Sequence, residues 1–219
     1  MSDNSRDFLI KSTKEDEAAR YTGWELVSTV TSQFWVRMIG LNLLYLLCCL
    51  PIVAIPASTC AMTRVVLNLV REKGTDIVAP FFAEFRHDFW KRTGFGLLLL
   101  IAPLSLSAYP LMLGSKGGFV AVFVICMILY FCITRYFYPL VVLMDVSLWS
   151  NFKNACIMAV LEWRTTLRML ATAGVLDLTL FVLTNYAAPL FIIFLCVFNT
   201  LVCCAFFNAA FAKYFEKEE

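Results

Sequence analysis

The chain has 219 residues, 61% of them apolar and 16% charged, with a mean hydropathy of +0.77 and a formal net charge of +2. Soluble domains hold roughly 45–50% apolar and about 25% charged residues, so this composition excludes an ordinary water-soluble domain. The small net charge offers no clustered basic face, and no nucleic-acid partner is expected.

The opening residues, MSDNSRDFLIKSTKEDEAAR and onward, are polar and mixed in charge. They lack the apolar stretch of a secretory signal, so residues 1–37 are expected to remain as a polar N-terminal segment. Within it, residues 24–36 suggest a short helix leading into a membrane, with Trp24, Phe34 and Trp35 as anchors at the headgroup level. A span needs about 20 mostly apolar residues to cross ~30 Å of hydrocarbon. Five windows meet this: Met38 to Ile55, Phe95 to Leu113, Phe119 to Met144, Leu167 to Leu183 and Ala187 to Phe211. Each must be helical, because backbone polar groups in lipid have to be satisfied within the segment. The expected fold is therefore all-α: a polytopic helical membrane protein of about five transmembrane helices, one domain over residues 38–212, with a charged tail at 213–219. Pro51 and Pro56 leave open a re-entrant first segment.

Amphipathic stretches fall between the spans. AMTRVVLNLVREK after the first is one. In VAPFFAEFRHDFWKR, Val78, Phe82, Phe85 and Phe89 recur at helical spacing while Glu84, His87, Asp88 and Lys91 form a polar stripe. From Trp149, a third places Trp149, Phe152, Cys156, Ala159, Val160 and Trp163 on one side, with Asn151, Asn154 and Glu162 mostly away from it. Such helices lie at the headgroup boundary or dock on a partner. The segments that follow spans one, three and five hold eleven Lys and Arg, against six on the other side. The positive-inside rule then puts the C-terminus in the cytoplasm and, with five spans, the N-terminus outside.

Two runs carry a family resemblance. NLLYLLCCLPIV, Asn42 to Val53, and YFYPLVVLMD, Tyr136 to Asp145, followed by Lys153 to Ala155, resemble the YesL family of bacterial integral membrane proteins. The resemblance implies a small protein of the bacterial cytoplasmic membrane associated with carbohydrate uptake in Gram-positive bacteria, with transporter subunits as partners beside the bilayer and a homo-oligomer as a further expectation. It brings no catalytic residues.

Recognisable catalytic chemistry is missing from the sequence itself. His87 is the single histidine, which removes multi-histidine metal sites, and there is no GxSxG or GxxxxGK[ST]. Most of the nine cysteines fall inside the apolar windows, none forms CxxC, and they read as small apolar residues. No enzymatic activity and no cofactor or metal is expected. The remaining lead is a pair of ionisable residues inside apolar windows, Arg135 and Asp177. An isolated charge there costs about 2.5–3.5 kcal/mol on the insertion scale, and the two lie at similar predicted depths. Three readings stay open: a structural ion pair, an arginine that snorkels to the headgroups while Asp177 meets a neighbour such as Asn185 or Asn199, or part of a solute pathway.

Overall fold

The computed structural model describes residues 23–71, 76–112 and 116–215; side chains are described for these except 104, 107, 109–112, 116–118, 176–195, 212, 213 and 215. The described residues are helical throughout, without strands. In chain order the helices are α1 (Trp24–Cys48), α2 (Ile55–Val70), α3 (Val78–Arg86), α4 (Phe89–Met112), α5 (Lys116–Leu143), α6 (Leu148–Leu161) and α7 (Trp163–Phe215), with one 3₁₀ turn, Ile52–Ala54, before α2.

Helix α1 begins at Gly23, whose φ of 66° suits a residue without a Cβ, and runs through the expected short helix and into the first apolar window, kinked at Phe34 (φ −123°, ψ 19°). Leu26, Val27 and Val30 join the same buried cluster as residues from α2, α5 and α7. The window Met38 to Ile55 does not form one helix. Pro51 has no N–H and disfavours helical geometry at Leu50, so α1 stops at Cys48 and the chain turns. Pro56 then sits in the first turn of α2, where its missing N–H costs nothing.

Helix α2 is the largest departure from the sequence reading. Its second half was expected to lie at the headgroup boundary; instead, twelve of its sixteen residues are buried, among them Ser58, Cys60, Ala61, Thr63, Val65 and Val66. Its small residues let neighbours approach: a Cβ at Gly96 of α4 would stand 2.3 Å from Pro56 Cβ, so only glycine allows that crossing. The hydroxyls of this core helix are satisfied locally, Thr59 Oγ1 donating to the Ile55 carbonyl (2.8 Å) and Thr63 Oγ1 to the Thr59 carbonyl (2.7 Å).

Helices α4 and α5 run antiparallel, the Phe95 ring stacking on Phe137 at 5.4 Å while Leu106 and Cys126 line one cavity further along. The stretch expected as two spans is helical from Trp163 to Phe215, 53 residues or roughly 80 Å if straight. It cannot be straight. The Tyr214 hydroxyl donates to Glu162 Oε1 at 2.8 Å, and Tyr136 touches both Thr166 (3.0 Å) and the Phe207 ring (6.2 Å). The chain must therefore reverse between Thr166 and Phe207, giving α7 two arms that lie side by side. A second consequence concerns the chain ends. Trp24 packs edge-on against Phe206, and Arg71 Nε donates to Asn208 Oδ1 at 2.8 Å. The start of α1, the end of α2 and both ends of α7 thus gather at one end of the bundle.

Among the described residues, two helical stretches, Ile52–Val70 and Phe119–Leu143, are long and apolar enough to cross a membrane. The outside of the bundle is unusually apolar. Ile39, Leu43 and Leu47 on α1, Leu98 and Ile101 on α4, and Val120, Val124 and Ile128 on α5 form exposed stripes at three- to four-residue spacing. Soluble monomers rarely expose contiguous apolar patches larger than a few hundred Å².

Candidate functional site

Arg135 projects from α5 into a cavity of about 280 Å³ bounded by α1, α2, α5 and the second arm of α7. Its Nη1 donates to Asn199 Oδ1 at 2.8 Å, and the guanidinium lies 6.0 Å from the centre of the Phe131 ring, within reach of a cation–π attraction. The wall around it is rich in hydroxyls: Tyr45, Thr59, Thr63, Tyr130, Thr134, Tyr138 and Thr200. Most of the threonines spend their proton on their own helix. Thr134 Oγ1 donates to the Tyr130 carbonyl (2.8 Å) and Thr200 Oγ1 to the Cys196 carbonyl (3.0 Å), as Thr59 and Thr63 do on α2. What these threonines turn toward a ligand is therefore oxygen lone pairs. Among the described residues, no carboxylate comes within ion-pair distance of Arg135. Asp177, the partner expected from the sequence, has its side chain outside the described ones.

A second polar cluster clamps α3 against the core. Glu84 on α3 is 8% exposed and takes Arg64 of α2 on Oε2 (2.8 Å) and Arg92 of α4 on Oε1 (2.5 Å). Arg92 is equally buried, and its Nη2 stands 3.0 Å from His87 Nδ1. The sequence reading placed Glu84 on an outward polar stripe with His87, Asp88 and Lys91. The helix in fact ends at Arg86, Asp88 has a positive φ of 49°, and the face that enters the core is that of Phe81, fully buried, with Glu84 one turn along. The available signal was the i, i+3 spacing of Phe81 and Glu84 together with two arginines in flanking helices. Asp88 and Lys91 do lie at the surface, 3.0 Å apart, and the hydrogen bond from Lys91 holds the Asp88 carboxyl below the usual range.

Helix α6 reverses the expected sides in part. Its buried face is Asn151, Ala155 and Met158, whereas Trp149 and Val160 are exposed, as is Trp163 just beyond. Lys153 lies over the Trp149 ring and Arg164 over that of Trp163. Ser147 caps the helix, its Oγ accepting from the Ser150 N–H at 3.2 Å. The described cysteines are free thiols, and Cys60, Cys126, Cys203 and Cys204 are buried in packing positions. No group of three or more metal-ligating side chains occurs among the described residues.

Residues 38–107 match the model of a family described as a protein of unknown function, DUF624. The match is about a third of the chain; it covers α2, α3, most of α4 and the second part of α1, and so contains Arg64, Glu84 and Arg92 but not Arg135. No curated protein and no solved structure matches the chain.

Proposed function

We propose that this is a multi-pass protein of the bacterial cytoplasmic membrane, related to the YesL family, whose long helices cross the bilayer an even number of times with both chain ends in the cytoplasm. The observation that carries this reading is the sheath of exposed aliphatic side chains on α1, α4 and α5 around a core that keeps its charges inside. In water such a sheath costs about 25 cal/mol for each Å² of apolar surface, whereas in lipid it is matched to its surroundings. Helices α3 and α6 then lie at the cytoplasmic headgroup level, where the exposed Trp149 and Trp163 with their neighbouring Lys153 and Arg164 are at home.

For molecular role, the reading is a component or accessory of carbohydrate uptake, supported by the family resemblance and by the exposed faces of α6. Its test is to purify the tagged full-length protein from its bacterial host in mild detergent. Enrichment of sugar-transporter subunits over a control membrane protein is expected, and their absence would sink the accessory role. The Arg135 cavity favours a second reading, that of a solute-binding transporter in its own right: a polar chamber within an apolar bundle is where solute sites of helical transporters are built. Uptake of labelled sugars or sugar derivatives into proteoliposomes holding this protein alone would favour it.

A further inference from the structure

The donor and acceptor inventory of the Arg135 cavity is lopsided, and the imbalance describes a ligand. Its one described cation, Arg135, gives one N–H to a neutral amide oxygen, Asn199 Oδ1 at 2.8 Å, and so retains its charge and most of its five donors. Asn199, whose Oδ1 already accepts from Arg135, still has its two N–H donors for a group beside it. On α2, Thr59 and Thr63 have already donated to backbone carbonyls, at 2.8 and 2.7 Å, and can only accept; the Tyr45 hydroxyl lies 3.5 Å from Thr59 Oγ1 and leaves it one further lone pair. One side of the chamber therefore asks for negative charge and the other for O–H donors. A neutral sugar satisfies the second demand and leaves the first unmet. A fatty acid satisfies the first and leaves the threonines facing methylenes. The volume, about 280 Å³, lies at the small end of the roughly 300–1,000 Å³ usual for ligand pockets and suits a solute of a few carbons rather than a lipid chain.

We propose that this cavity binds a small hydroxylated carboxylate, the carboxylate on the Arg135 guanidinium and the Asn199 amide, the hydroxyls donating to Thr59 and Thr63. This inference rests on the solute-site reading above. Planar, two-point recognition of a carboxylate is what a guanidinium does and an ammonium cannot do.

The test is calorimetric titration of the full-length protein in a non-ionic detergent with D-gluconate, with the neutral polyol of the same length, D-sorbitol, and with inorganic phosphate. Saturable gluconate binding at least tenfold tighter than that of sorbitol or phosphate is expected. Arg135→Gln should weaken it at least tenfold, and Arg135→Lys, which keeps the charge and loses the fork, by a smaller factor. Thr59→Val should weaken gluconate several-fold while leaving acetate, which has no hydroxyls, unchanged; this variant and Arg135→Lys keep the test decisive should Arg135→Gln fail to fold. Sorbitol binding as tight as gluconate, and sensitive to Thr59→Val, would overturn the carboxylate assignment while leaving a solute site. Binding of phosphate alone, competition by phosphatidylglycerol with no saturable gluconate binding, or no binding by any of the three would overturn the proposal.

Discussion

At Arg135 the balance of terms can be measured. A charge in this setting costs about 2.5–3.5 kcal/mol to insert, and a hydrogen bond to a charged group returns about 1.5–3 kcal/mol. The bond to Asn199 at 2.8 Å therefore offsets much of the cost without any countercharge. Asn199→Ala and Arg135→Ala should each lower thermal stability in detergent, and a double-mutant cycle between them should show coupling of about 1 kcal/mol or more. The ion-pair reading of the sequence is tested by the same cycle with Asp177→Ala in place of Asn199→Ala: coupling of about 1 kcal/mol or more would put a countercharge on Arg135, and a value below about 0.5 kcal/mol would remove the pair. The arginine stood out in the sequence because a cation in an apolar run is rare. Asn199 entered that reading only as a contact for Asp177, since an amide is chemically promiscuous and one chain position does not reveal which helix will face it.

Among the elements, α3 is tied to two neighbouring helices by one carboxylate. Glu84, buried, neutralises the buried Arg92 of α4 and the partly exposed Arg64 of α2. Glu84→Gln would leave both guanidinium groups without a countercharge, and removing one partner of a buried pair costs about 3–5 kcal/mol. Folded yield and melting temperature in detergent should fall sharply; adding Arg92→Met to Glu84→Gln should restore part of the loss, because it removes one of the stranded charges. If Glu84→Gln melts like the parent protein, the cluster is not what fixes α3. This clamp was illegible in the sequence for the same reason that α2 was misread. Hydrophobic periodicity assumes that polar residues face out, and both helices turn polar side chains inward, where Thr63 bonds to its own helix and Arg64 to Glu84. Asn151, 1% exposed on α6, departs from the assumption in the same way. By contrast α5 was read almost to its ends, because its apolar run is long and its outer face has no polar alternative.

On the scale of the whole molecule, class and approximate helix positions were legible, and connectivity was not. A proline at the edge of an apolar run reads equally as a kink or as a turn, and only the packing of α2 against its neighbours decides that Pro51 ends one helix and Pro56 begins another. In the proposed even-crossing arrangement, that one decision changes the parity of the chain and with it the side of the N-terminus. Reporter fusions at the two termini should then give the same cytoplasmic signal, and a cysteine introduced at Lys116, the first residue of α5, should be labelled from outside while one at Lys153 is not. An N-terminal fusion that reports the outside would overturn the even-crossing arrangement.

The meeting of Trp24 with Phe206 also bears on how such a protein is made. Residues 1–22 carry nine charged side chains. Carrying each through hydrocarbon would cost on the order of 2.5–3.5 kcal/mol, a load that an outward N-terminus would impose on the insertion machinery before any downstream helix existed to help. In the proposed arrangement, with both ends on one side, the polar leader does not cross. The connections that cross are then those between paired helices, and the one that leads into α5, GSKGG, carries a single charge. Each pair can then enter the bilayer as a closed loop, so that the work of membrane insertion falls on the connections least burdened by charge.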